Sequence, residues 1–181
     1  TINSLLISPD PATSNDTLQC LTAISDPEDG TLIPSYNWTD NLGIGLGTTD
    51  TLILTNQLVT PGDTVSCTVS ATDSYGTTVS DMVTIDVENT PPIFSNAPVI
   101  SAPNGLRVNQ EITCVATAYD IDGDTPTLTY AWLNGTTTIG SGDALTLTTT
   151  NSSPGDEVFC AVTATDMHGG STVESDSVFV E

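Results

Sequence analysis

One ordered set of residues occurs twice in this chain. Cys20, Trp38, Pro61-Gly62-Asp63, Cys67 and Ala71-Thr72-Asp73 return as Cys114, Trp132, Pro154-Gly155-Asp156, Cys160 and Ala164-Thr165-Asp166. The offset is 94 residues at the first Cys and 93 from the Pro-Gly-Asp triplet onward. A 181-residue chain halved in this way predicts two domains. We place them at residues 1–88 and 94–181, joined by residues 89–93. The joint begins Asn89-Thr90-Pro91-Pro92, and adjacent prolines make a stiff, extended connection. Matching the repeats puts Thr1 opposite Phe94 and Glu88 opposite Glu181. Either the chain is one window of a tandem array, or a protomer that joins identical copies head to tail, or its ends have been trimmed. No signal peptide is visible.

Inside each copy the apolar residues alternate. Val65, Cys67, Val69 and Ala71 fall on one face of an extended segment, as do Val158, Cys160, Val162 and Ala164. Leu52/Leu54, Tyr36/Trp38 and Val83/Ile85/Val87 have counterparts in Leu145/Leu147, Tyr130/Trp132 and Val178/Val180. Thr and Ser fill more than a quarter of the chain, and threonine favours strands over helices. Some seven short strands per copy, with turns between them, predict an all-β sandwich.

The order Cys, Trp, Cys resembles the immunoglobulin-like domain. More closely, the chain resembles the Ig-like, PKD-like and cadherin-like repeats of bacterial and archaeal surface proteins. The residues that carry this are Asp120-Ile121-Asp122-Gly123-Asp124, Tyr130-Ala131-Trp132, Pro154-Gly155-Asp156, Cys160 and Ala164-Thr165-Asp166-Met167-His168-Gly169. The first copy has Asp26-Pro27-Glu28-Asp29-Gly30, Tyr36-Asn37-Trp38 and Ala71-Thr72-Asp73-Ser74-Tyr75-Gly76. The resemblance implies two tandem immunoglobulin-like β-sandwich domains, each with one inter-sheet disulfide. Together with the repeat symmetry it pairs Cys20 with Cys67 and Cys114 with Cys160. Such bridges imply an oxidising, extracellular or cell-surface location. The chain departs from antibody domains at Val65 and Val158, where those have a corner tyrosine.

Charge excludes several partners. There are 23 acidic residues, one basic residue (Arg107) and a net charge of −22. A nucleic-acid binder needs Lys and Arg to displace counterions, and an anionic membrane surface would repel this chain. No apolar run reaches the ~20 residues of a spanning helix.

The acids also suggest a site. In an Ig-like domain the connection holding Asp120, Asp122 and Asp124 lies at the same end as that holding Asp166, and Glu88 and Asn89 precede that end. Hard oxygen ligands of this kind suit Ca2+, which takes six to eight of them. The first copy has Asp26, Glu28, Asp29 and Asp73, with Glu181 of a preceding copy as a further ligand. Calcium would then stiffen the joints. The competing reading is that these acids are solvated turn residues.

Enzyme chemistry finds no foothold. His168 is the sole histidine, and its counterpart is Tyr75. The thiols are expected in disulfides. The run Gly43-Ile44-Gly45-Leu46-Gly47 lacks the following helix and the lysine of a phosphate loop, and reads as a hairpin loop. Glycosylation sequons stand at Asn15, Asn37, Asn134 and Asn151. Residues 1–8 form an apolar strand that either completes its own domain or is donated to a neighbouring copy. We therefore expect a non-catalytic subunit of an extracellular filament, pilus-like fibre or surface appendage. The alternatives are an adhesin recognising carbohydrate or protein, through Tyr75, Phe94, Tyr119 or Phe159, and an accessory domain of a larger secreted protein.

Overall fold

The computed structural model describes all residues Thr1–Glu181, and the chain divides into two units, Thr1–Thr90 and Pro91–Glu181. Ile93, assigned above to the joint, opens the first strand of the second unit and pairs with Tyr119.

The first unit contains β1 (Ile2–Ser8), β2 (Ala12–Thr13), β3 (Thr17–Ile24), β4 (Ser35–Thr39), β5 (Gly45–Gly47), β6 (Thr51–Ile53), β7 (Thr64–Thr72) and β8 (Thr78–Glu88). One sheet has the order β1-β3-β6 and the other β2-β8-β7-β4-β5. The first run of the chain thus serves both sheets. Residues Ile2–Ser8 pair antiparallel with β3, then Ala12–Thr13 cross over to pair parallel with Val87 and Glu88. β1 completes its own domain, and Ile7 is buried in that domain's core.

Period-two alternation explains why β7 forms. Its four apolar residues are buried while Ser and Thr between them face outward. Cys67 on β7 bonds Cys20 on β3 across the two sheets. Trp38 on β4 is fully buried beside this bridge, and its indole N–H is satisfied by the Thr49 carbonyl at 2.8 Å. The glycine run needs a partial revision. Gly43 lies in the turn, but Gly45–Gly47 form strand β5 against β4. A Cβ on Gly47 would stand 3.7 Å from Trp38, an ordinary contact, and 3.3 Å from the Leu52 side chain, which would have to give by a few tenths of an ångström.

The second unit contains β9 (Ile93–Ser101), β10 (Glu111–Tyr119), β11 (Thr127–Asn134), β12 (Thr137–Ser141), β13 (Ala144–Thr146), β14 (Glu157–Thr165) and β15 (Ser171–Phe179). Its sheets run β13-β10-β9 and β12-β11-β14-β15. Cys114 on β10 bonds Cys160 on β14, and the Trp132 indole donates to the Gly142 carbonyl at 2.9 Å. Strand β2 has no counterpart. In its place a single bond runs from Glu181 N–H to the Leu106 carbonyl, beside the Arg107–Glu181 ion pair at 3.1 Å. The chain is therefore all-β, with two immunoglobulin-like sandwiches, each stapled once.

Candidate metal centre at one end of the second sandwich

The site is built from two turns. After β10 the chain reverses through Asp120–Gly123. The Asp120 carbonyl accepts from Gly123 N–H at 3.3 Å, and its Oδ1 accepts from Asp122 N–H at 2.8 Å. After β14, Asp166 Oδ1 accepts from the backbone N–H groups of His168 and Gly170, both at 2.8 Å. These are the local side-chain-to-backbone bonds that make Asp a turn residue. They account for one oxygen of each carboxylate.

The remaining oxygens are the informative ones. Asp120, Asp122 and Asp166 are 7%, 4% and 7% exposed. The Oδ2 atoms of Asp120 and Asp124 are buried and accept no hydrogen bond. A buried acceptor without a partner is costly, more so when charged. Burial pushes the Asp120 carboxyl above its ordinary value, and the negative charges of Asp122, Asp166 and Asp124 push the same way; the Asp122 N–H opposes them. His168 Nε2 lies 3.5 Å from Asp124 Oδ2, too far for a strong hydrogen bond. The sequence marks His168 only as the sole histidine, with Tyr75 as its counterpart. Its side chain is only 30% exposed and faces an acid. The signal was its spacing two residues after Asp166.

The matching end of the first sandwich is arranged differently. Asp26 Oδ1 accepts from the N–H groups of Glu28 and Asp29 at 3.0 and 3.1 Å, and these bonds lower its pKa. Asp29 accepts from Ser74 N–H at 2.7 Å and Ser74 Oγ at 2.9 Å, tying the two turns together. Asp73 Oδ1 accepts from Tyr75 and Thr77 N–H at 2.9 and 2.8 Å, as Asp166 does in its own turn. Glu28 and Asp29 are exposed. Backbone and serine donors occupy Asp26, Asp29 and Asp73, so the solvated-turn reading fits this end. Glu88, also proposed as a ligand, is exposed at the end of β8; Asn89 follows it in the first unit; Glu181 is engaged by Arg107.

No three His, Cys, Asp or Glu side chains are already grouped as a ready-made metal cage. The donor chemistry at Asp120 and Asp124 fits a hard cation nonetheless, because two buried carboxylate oxygens there want positive charge. Calcium's remaining ligands can be carbonyls and water.

Elsewhere the expected binding features thin out. Phe94 packs against the core and Phe159 is half-buried, leaving Tyr75 and Tyr119 exposed on different units. A shallow cavity of about 350 Å³ near the β11–β12 turn is lined by Thr, Ser, Asn and Asp156. No helix is long and apolar enough to cross a membrane.

No family model matches the chain, and no curated protein matches it either. Among solved structures it is similar to the three N-terminal domains of the Highly Immunogenic Outer Capsid protein (Hoc) of bacteriophage RB49. Identity there is 18%, with a TM-score of 0.39, over 99% of this chain and 59% of that one. The fibronectin(III)-like modules of Clostridium thermocellum CbhA are 16% identical, with a TM-score of 0.34, over 98% and 94% of the respective chains. The chain thus spans about three-fifths of the capsid-protein structure it matches.

Proposed function

We propose that this protein is a non-catalytic structural module pair of an extracellular fibre or surface appendage, and that Ca2+ binds its second domain. The structural part rests on the repeat itself. Two sandwiches of one design, each closed by a disulfide, form a scaffold suited to an oxidising environment. Both cysteine pairs are consumed in bridges, which leaves no thiol nucleophile.

The calcium part rests on one observation: Asp120 is almost wholly buried, its Oδ2 has no hydrogen-bond partner, and three other acids raise its pKa. Asp120 and Asp124 would supply direct ligands, with Asp122 and Asp166 adding negative charge. A bound ion would offset the repulsion among the four and hold the β10–β11 and β14–β15 turns together. Head-to-tail assembly with identical copies remains part of this reading.

Two experiments test it. Protein stripped with EDTA should regain several degrees of melting temperature when Ca2+ is restored, since saturation at ~100 Kd adds about 2.7 kcal/mol. No shift would end the calcium reading. Negative-stain microscopy of native material should show ordered fibres; monodisperse beads would end the fibre reading.

A further inference from the structure

The four glycosylation sequons do not stand on equal terms once the chain is folded. Asn15 lies at the exposed tip of the turn between β2 and β3. That turn is held by its neighbour: Asp16 accepts from Thr13 N–H and Oγ1 at 2.7 and 2.8 Å, which leaves the Asn15 amide uncommitted. Asn37 is exposed on the outer face of β4, between the fully buried Trp38 and the partly buried Tyr36. Thr68 faces it from β7, and its other neighbour, β5, is built from Gly45, Leu46 and Gly47. Asn37 is open to solvent, and no other group binds its side-chain amide.

The second domain treats its sequons differently. Asn134 Nδ2 donates both to Asp156 Oδ2 at 2.6 Å and to the Asn151 carbonyl at 3.2 Å. Asn151 Nδ2 donates to the Thr146 carbonyl at 3.0 Å, while its Oδ1 accepts from Thr148 N–H at 2.7 Å. Both asparagines are half-buried in the wall of the polar cavity. The acceptor nitrogen is therefore already a structural donor at both positions.

Attachment of sugar decides what this means. The amide nitrogen bonds to the anomeric carbon of an activated sugar, a glycosyl phosphate or pyrophosphate brought by a transferase. The bond from that carbon to the phosphate oxygen breaks, the phosphate leaves with the electron pair, and the amide gives one proton to a base on the transferase. One N–H survives on the modified nitrogen. Asn134 needs two for the bonds it makes, so modification there breaks at least one; Asn151 donates only once, and what withdraws it is that both ends of its half-buried amide are pinned, Nδ2 to Thr146 and Oδ1 to Thr148. Asn15 and Asn37 give up nothing. We infer that N-linked sugar on this protein is confined to Asn15 and Asn37, and that the fold withdraws Asn134 and Asn151 from modification.

The chain's single basic side chain makes the test simple. Within residues 1–181 trypsin can cut the unfolded protein only after Arg107. The cut places Asn15 and Asn37 on one fragment and Asn134 and Asn151 on a second. Mass spectrometry with site-localising fragmentation should find sugar on Asn15, on Asn37 or on both, and none on Asn134 or Asn151. Sugar at either position of the second fragment overturns the inference, as does bare amide at all four.

Discussion

Asp26 and Asp120 occupy the same place in the two repeats, yet their carboxyls are driven in opposite directions. Backbone N–H groups of Glu28 and Asp29 hold Asp26 below 3.8, its ordinary value. Burial and three neighbouring acids hold Asp120 above it. The scaffold under them is the same: a cysteine bridge, a buried tryptophan and a paired β-turn end. What differs is which groups answer the carboxylates. In the first domain Ser74 donates twice to Asp29. In the second, Met167 follows Asp166 and is exposed, and His168 Nε2 stands 3.5 Å from Asp124 Oδ2. A turn that satisfies its own acids needs nothing more, whereas one that buries them unsatisfied is built for a cation or must take up a proton.

The comparison can be broken at several depths. The largest effect tests its premise, that the scaffolds are equal. Replacing Cys20 and Cys67 by alanine, or Cys114 and Cys160, should cost each domain about 4 kcal/mol by loop entropy, because the loops are 47 and 46 residues long. Each domain has one tryptophan, so Trp132→Phe and Trp38→Phe backgrounds report the two melts separately by fluorescence. Unequal losses would mean that the repeats are not one design.

Next in size is deletion of residues 1–8. It removes buried Ile7 and the β1 edge from β3. The first domain should lose about 2–5 kcal/mol, seen as an early Trp38 transition with Trp132 unchanged. An unshifted Trp38 melt would point to a strand given to another copy.

Calcium should act on one domain only. Restoring Ca2+ to stripped protein should raise the Trp132 transition and leave that of Trp38 in place. A rise in both would put the first domain's acids back among the ligands.

The smallest effects come from single carboxylates. Without calcium, Asp120→Asn should stabilise the second domain by on the order of 1 kcal/mol, because it removes a buried charge, and it should abolish the calcium response. Asp26→Asn should slightly destabilise the first domain through loss of the charged acceptor. Acidification should separate the two in the same sense. With a raised folded pKa, Asp120 favours the native state at low pH, and that contribution is lost as pH rises through its folded value. With a lowered one, Asp26 contributes above 3.8 and loses its contribution as pH falls through its folded value. Calcium-free melts from neutral to acid pH should first show the second domain gaining, then the first losing.

Much of the fold could be read from residue order, because the constraints were local and repeated. Alternation in β7 and β14 is visible in four apolar residues at every second position, and the Cys-Trp-Cys order carries the resemblance to the immunoglobulin-like sandwich. The missing β2 counterpart was not readable. It depends on whether residues 102–108 reach the final strand in register or touch it through one bond at Leu106. At the site, the acids themselves were readable from their spacing, but their satisfaction was not. Nothing in Asp-Pro-Glu-Asp-Gly announces that Asp29 turns toward Ser74, 45 residues away. The same holds for Asn134, whose partner Asp156 lies 22 residues on.

The cysteine bridges have a further consequence under tension. Pulled from its two ends, the first domain can release only the chain outside its bridge, which includes β1, β2 and β8. The 47-residue stretch between Cys20 and Cys67 would span roughly 160 Å if drawn out at about 3.4 Å per residue. It stays looped while the sulfur bond lasts, so a stretched copy lengthens only by the chain outside the bridge, about half of the domain, and then stops.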